Sequence, residues 1–383
     1  MRVLLVGDYP PEAQTSMQRY AAWLENELRN HGVQVHLVKP KIIFSRLCKQ
    51  PLLAKYLGYI DKYLVFLPSL RSLARQYDMV HVLDHSNSMY LSVVGKVPSL
   101  ITCHDLLAVR GARGEFPEYQ TPWSGKLLQK WILSGLKKAP NIVCVSAATA
   151  ADLKVLTAGS GSGVQKAPVR KAPVQVIYNA LNWNFTPGVA LPAELCSRLG
   201  LNAGQPYLLH VGNDVWYKNR SGAVDIFEQL ASLPKFHAWK LVMAGQQWSS
   251  DVREAIASRG LSSRIIEALT PTNPELAALY SNARALLFPS LYEGFGWPIL
   301  EAQACGCPVI TTERAPMTEV AGGAAILIDP ADPARAAATI AEGMERSQVL
   351  REAGFRNLER FDGQKIIAQY LAVYADVLEQ HRA

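Results

Sequence analysis

From Phe288 to Thr312 the chain runs Phe-Pro-Ser-Leu-Tyr-Glu-Gly-Phe-Gly-Trp-Pro-Ile-Leu-Glu-Ala-Gln-Ala-Cys-Gly-Cys-Pro-Val-Ile-Thr-Thr, an order of residue types that reads as strand, glycine loop, helix, strand. Ala285 to Phe288 is an apolar run short enough for a buried strand, Gly294 and Gly296 free the backbone, and Pro298 suits the first turn of a helix. That helix points its amino end at the loop, so exposed backbone N–H groups and the positive end of the helix dipole form a place for phosphate or sugar hydroxyls. Glu293 precedes the glycines and Glu301 lies one to two turns into the helix, adding an acceptor pair beside those donors. Taken alone, Glu-Gly-Phe-Gly would serve equally well as a tight turn with both carboxylates in water.

A chain of 383 residues is too long for one ordinary core and suits two domains. With 49% hydrophobic and 19% charged residues it is a folded chain whose sheets are covered on both faces. The apolar start Met1 to Gly7 is too short for a signal peptide or a membrane span, no later run reaches span length, and the six scattered cysteines are read as reduced thiols. A cytoplasmic protein is expected, with a peripheral place on the inner membrane face as an option. The net charge of +7 implies attraction to something anionic: nucleic acid, an acidic lipid surface or phosphorylated substrates. No zinc-finger, RNP-type or helix-turn-helix string is present, which disfavours nucleic acid.

The amino-terminal half opens as βαβ: strand Arg2 to Val6, helix Thr15 to Asn30 with Met17, Tyr20, Ala21, Leu24 and Leu28 on one face, strand Gln34 to Lys39. Strands Asp78 to Leu83, Ser99 to Cys103, Asn141 to Val145 and Val174 to Ile177 follow, and Ser146 is placed to cap a helix from Ala147 to Leu156. Between Lys39 and Tyr77 eight basic residues, Lys49, Lys55 and Lys62 among them, stand against the single acid Asp61 and are interleaved with aromatics. Such a segment covers a sheet as a pair of helices with lysines in water, or lies on an anionic membrane surface. Ala158 to Pro173 is low-complexity sequence expected to form a mobile loop. In the second half, strand Tyr207 to Val211 leads through Gly212-Asn-Asp-Val-Trp-Tyr-Lys-Asn219 into a helix, and strands at Lys240 to Ala244, Arg264 to Ile266 and Ala325 to Ile328 alternate with helices.

Pro289-Ser290, Glu293-Gly-Phe-Gly296, Pro298, Glu301-Ala302, Gly306 and Pro308-Val309 together resemble the signature of retaining GT-B glycosyltransferases of family 4, also called glycosyl transferases group 1. The resemblance implies an α/β fold of two Rossmann-like doubly wound domains facing across a cleft. Residues 1–182 would be the acceptor domain, 190–363 the donor domain, and 364–383 a helix crossing back to the first, carrying Ile366, Tyr370, Val373, Tyr374 and Val377 as its apolar stripe.

The resemblance further implies a nucleotide-sugar donor, a glycan or lipid-linked acceptor, no cofactor and, with no Asp-x-Asp string, no required metal. The catalytic pair would be His104 and Glu293; the donor would be held by Gly212, Asn213, Lys218, Asn219, Gly294, Phe295, Gly296 and Glu301. Thr15, Ser16 and Asp105 are further candidates, the first two because Ala13-Gln-Thr-Ser-Met17 stands where the family carries paired glycines. Asn213 stands where the family has an arginine aimed at the diphosphate, and Arg220 is the candidate to replace that charge. A sugar-nucleotide epimerase on the same fold and a silent nucleotide-sugar-binding subunit are the alternatives.

Overall fold

The computed structural model describes residues 1–12, 14–158, 174–202 and 204–382, so the expected loop at 159–173 lies outside the described residues. The chain divides into two compact units, Met1–Asn182 with Gly363–Ala383, and Trp183–Asp362.

The first unit is built on six parallel strands, β1 (Arg2–Val6), β2 (Gln34–Val38), β3 (Met79–Val82), β4 (Ser99–Cys103), β5 (Ile142–Cys144) and β6 (Val174–Val176), in the order β2-β1-β3-β4-β5-β6. Parallel strands need crossovers that cover both faces, so β1, β3, β4 and β5 read as near-continuous apolar runs and are buried throughout except at Arg2. The helix Thr15–Asn30 buries Tyr20, Ala21, Leu24 and Leu28, the expected face except for the half-buried Met17, and Gly32 ends it at φ 76°. Ser146 caps Ala147–Thr157, its side chain accepting from the Thr149 amide at 3.0 Å.

The helix Gly363–Arg382 packs within this unit, burying Ile366, Ile367, Tyr370, Val373, Tyr374 and Val377. Its polar atoms are satisfied by an internal network. The Tyr370 hydroxyl lies 2.7 Å from that of Tyr20, which is 3.1 Å from Thr102 Oγ1, and His81 bridges Thr102 (2.8 Å) and the Tyr374 hydroxyl (2.7 Å).

Two stretches differ from the sequence reading. Between β4 and β5, a stretch that the sequence reading leaves unassigned, lie the helices Leu107–Ala112 and Trp123–Lys138. The basic segment is a continuous helical run, Pro51–Ile60 and Phe66–Ala74 joined by a π-helical turn at Asp61–Val65, in place of a separate pair. The wide turn swings two charged residues inward. Asp61 accepts from the amides of Ile43, Phe44 and Ser45 at 3.2, 2.8 and 3.2 Å and from the Tyr9 hydroxyl at 2.6 Å. Lys62, only 4% exposed, donates to Glu12 at 2.7 Å. Lys62 is therefore no surface lysine, contrary to its grouping with Lys49 and Lys55.

The second unit has six parallel strands, β7 (Tyr207–Val211), β8 (Lys240–Gly245), β9 (Ile265–Leu269), β10 (Ala285–Phe288), β11 (Val309–Thr312) and β12 (Ala325–Ile328), ordered β12-β11-β10-β7-β8-β9. β9 runs further than expected because five of its residues pair in register with β8, from Ile265 opposite Leu241 to Leu269 opposite Gly245. Its core packs helix Arg220–Ser232, through Ala223, Val224, Ile226, Phe227 and Leu230, against Leu208, Leu241, Leu287 and Ile310. Among the described residues no helix is long and apolar enough to cross a membrane.

Candidate active site

In each sheet the chain winds outward on one side of its first strand and then returns to the other, so the crossovers diverge at one point and leave the carboxyl ends of two neighbouring strands uncovered. In the second unit that point lies between β7 and β10, and it joins the loop 212–219 to the loop 289–296.

These loops are tied together by backbone and side chain. The Leu291 amide donates to the Tyr217 carbonyl at 2.8 Å, and Asn219 Nδ2 donates to the Pro289 carbonyl at 3.1 Å. Asn219 holds the left-handed conformation at φ 55°, and its Oδ1 caps the helix Arg220–Ser232 by accepting from the Gly222 amide at 3.2 Å. Its side chain thus joins the loops, and asparagine is the residue type that suits both tasks.

Across this junction Lys218 Nζ lies 2.6 Å from Glu293 Oε1, with side-chain exposures of 16% and 9%. Nζ also sits 5.0 Å from the centre of the Phe288 ring. Two charged residues 75 positions apart in the sequence therefore form one neutral pair. Gly294 and Phe295, the latter buried, lead from it to Gly296, whose φ of 109° turns the chain into the helix Trp297–Ala304 with Pro298 in its first turn. Glu301 is buried on this helix and accepts from the Tyr280 hydroxyl at 2.9 Å. No sequence signal points to Tyr280, since only the packing of Asn273–Asn282 beside Trp297–Ala304 brings it there.

Gly212 and Asn213 follow β7. The Gly212 amide donates to the Ala244 carbonyl at 3.0 Å, and the Asn213 carbonyl accepts from Val215 at 2.9 Å. Arg220 does not replace the missing arginine: it is 3% exposed, and its Nη2 is spent on the carbonyls of Gly212 (2.5 Å) and Gln246 (2.9 Å). It props the loop from beneath, and burial lowers its pKa. Beside it His210 is held neutral by burial, its pKa driven down to about 3. His210 Nδ1 lies 3.0 Å from the Leu287 carbonyl, so Nδ1 carries the proton and Nε2, buried without a partner in the protein, is a lone-pair acceptor. The Ser290 hydroxyl is likewise buried without a protein partner.

In the first unit the divergence falls between β1 and β3 and gathers Asp8, Asp84 and, from the end of β4, His104. Of these, His104 alone stands out in the sequence. Its Nε2 lies 2.9 Å from the Leu83 carbonyl and its ring meets Tyr20 edge to face at 4.8 Å. Burial lowers its pKa, so the ring is neutral; with Nε2–H donating to Leu83, Nδ1 is an acceptor that no protein group fills.

Asp8, 7% exposed, accepts from Asn87 Nδ2 at 2.7 Å; burial, reinforced by Asp84 and Glu12, pushes its pKa up to about 8. Asp84 is the ionised partner: burial opposes its charge, but the neighbouring His85 and the Ser86 amide at 2.5 Å outweigh it and lower its pKa. Asp105 caps the next turn, accepting from the Leu107 amide at 3.0 Å. Thr15 and Ser16 occupy the exposed first turn of their helix. All six cysteines are free, and burial raises the Cys305 thiol to about 12.

Two doubly wound parallel sheets, each with polar side chains gathered where its crossovers diverge, define a two-domain α/β architecture with a ligand crevice at the strand ends of each sheet. The profile of Glycosyltransferase Family 4 matches residues 17–184 and that of Glycosyl transferases group 1 matches residues 194–356. The chain belongs to the family-4 glycosyltransferases of the GT-B fold.

Among its relatives, O-antigen chain mannosyltransferase B of Escherichia coli is 30% identical over 177 residues, 45% of this chain and 46% of that protein, so the alignment spans under half of either. GDP-mannose:cellobiosyl-diphosphopolyprenol alpha-mannosyltransferase of Xanthomonas campestris is 24% identical over 318 residues, 80% of this chain and 76% of that one. Sucrose-phosphate synthase from Thermosynechococcus elongatus shares the fold with a TM-score of 0.73 at 18% identity, covering 99% of this chain and 100% of that one. Anabaena HepE in complex with UDP and glucose does so with 0.68 at 16%, covering 98% and 100%.

Proposed function

We propose that this glycosyltransferase moves a hexosyl group, of the mannose class named in its relatives, from a nucleoside diphosphate to a hydroxyl of a glycan or lipid-linked acceptor. The configuration at the anomeric carbon is retained and no metal is required. The observation that carries this reading is the Lys218–Glu293 pair, 2.6 Å apart where two strand ends diverge and beside the amino end of Trp297–Ala304. A donor entering there separates the pair. Lys218 turns to the diphosphate, and Glu293 accepts from hydroxyls of the sugar.

The reaction is a front-face displacement. The bond from the anomeric carbon to the phosphate oxygen breaks, the acceptor oxygen bonds to the same face, and the acceptor proton passes to the departing phosphate. Lys218 and the backbone N–H groups of the glycine loop stabilise the charge gathering on that phosphate, where fixed donors are worth most. In the first unit His104, neutral and with Nδ1 as acceptor, takes the hydrogen of a hydroxyl bound at its own strand ends rather than donating one. The alternatives of epimerase and silent binding subunit gain nothing from the relatives, both of which are named as mannosyltransferases.

Thermal melting against GDP-mannose, UDP-glucose and ADP-glucose tests the reading, since a ligand that binds only the folded chain raises its melting temperature. One donor should stabilise the protein, the product anomer read by NMR should match the donor's, and EDTA should leave the rate unchanged. Stabilisation by none, or an inverted anomer, would overturn it.

Glu301 is assigned to the ribose hydroxyls, a contact shared by ground and transition states. Glu301→Gln should therefore raise the donor KM about tenfold and leave kcat within about twofold. A fall in kcat at constant KM would move Glu301 into the chemical step.

A further inference from the structure

The helix Trp123–Lys138 buries Ile132 and Leu136. On the opposite side, at i, i+4 and i+8, it presents Trp123, Leu127 and Trp131 to solvent at 76%, 55% and 44% exposure. Three large apolar side chains in line on a surface helix are a patch of the kind that marks an interface. The helix has four lysines, Lys126, Lys130, Lys137 and Lys138, all exposed, and no acidic residue.

This stripe continues onto a second helix. The Trp131 ring lies 5.0 Å from Tyr63, Tyr63 stacks on Tyr59 at 5.9 Å, and Tyr59 meets Tyr56 at 6.0 Å, an aromatic ladder whose outer members are exposed. On Pro51–Ile60 the face beyond Tyr56 carries Leu52 and Leu53, 68% and 49% exposed, beside exposed Lys49 and Lys55. The one acid of that segment, Asp61, is turned inward and spent on backbone amides. The face is thus a stripe of exposed tryptophan, tyrosine and leucine side chains accompanied by exposed lysines. That pattern is complementary to a surface with phosphate outside and acyl chains beneath.

We propose that this face of the first unit docks on an anionic lipid bilayer, with Trp123, Leu127, Trp131 and Leu52 entering the headgroup layer and Lys49, Lys55, Lys126 and Lys130 meeting lipid phosphates. It stands apart from the transfer reaction, because docking is read without donor or acceptor.

The test is sedimentation of the full chain with vesicles of phosphatidylglycerol and phosphatidylethanolamine, and separately of phosphatidylcholine alone. Wild type should partition onto the anionic vesicles only, and the partition should collapse near 1 M salt, where the Debye length is about 3 Å. Trp123→Ser with Leu127→Ser, and independently Lys126→Glu with Lys130→Glu, should each weaken binding about tenfold or more while leaving the melting temperature unchanged, since all four positions are exposed. Should the serine variant fail to fold, the charge-reversal pair reads the same contact.

Partition onto neither vesicle, equal partition onto both, or unchanged binding by the charge-reversal variant would overturn the proposal. So would concentration-dependent self-association abolished by the same substitutions, which would mean that a second copy covers this face.

Discussion

Glu293→Gln is expected to lower the rate of sugar transfer by about a hundredfold or more, because it removes a charge-assisted acceptor from the transferring sugar, on the order of 3 kcal/mol. The geometry adds a second expectation of opposite sign. In the unliganded chain Glu293 holds Lys218 at 2.6 Å, and a donor diphosphate has to compete for that lysine. An amide at position 293 competes far less. Binding of the plain nucleoside diphosphate should therefore tighten by a few-fold in the variant even as transfer collapses. Calorimetry with the diphosphate and initial rates with the whole donor separate the two effects. Transfer within a few-fold of wild type would remove Glu293 from the chemistry, and weaker diphosphate binding would show that the pair aids the leaving group in place of competing with it.

The other large effect belongs to Asp8. Its pKa is raised to about 8, from 3.8, by burial and then by Asp84 and Glu12. Below the unfolded value both states hold the proton and the group costs nothing. Between that value and about 8 the folded state holds a proton that the unfolded chain has lost, so stability falls as pH rises. The slope is about 1.4 kcal/mol for each step of one in pH, so across the whole window the loss reaches several kcal/mol.

Asp8→Asn removes the titration and keeps an oxygen for Asn87. The variant should match wild type in melting temperature near pH 4 and exceed it by about ten degrees or more at about pH 8 to 9. Identical pH profiles for the two proteins would mean that Asp8 is ionised in the folded state, with its charge met by groups other than Asn87.

Local pattern alone determined a good deal of this protein. Alternation of short apolar runs with 3.6-periodic segments specified the doubly wound architecture, and the Thr15–Asn30 helix, the Ser146 cap and the glycine turn into Trp297–Ala304 follow from residue type and spacing. The string from Pro289 to Val309 named the family, because turn glycines, a first-turn proline and two carboxylates at set distances are each readable without a fold.

What only the tertiary structure decided is which distant residues meet and which charges see water. Strand order is written in no local pattern, so the meeting of Asp8 with Asp84, and of Lys218 with Glu293, appears only once the crossovers have diverged on either side of β1 and β7. Lys49 and Lys62 look alike in sequence. Lys49 stays in solvent ahead of the helical run, while the π-helical turn buries Lys62 against Glu12. Arg220 follows the loop that lacks an arginine, yet its side chain goes under that loop, because the uncapped carbonyls of Gly212 and Gln246 lie there and a buried guanidinium must take the acceptors it is offered.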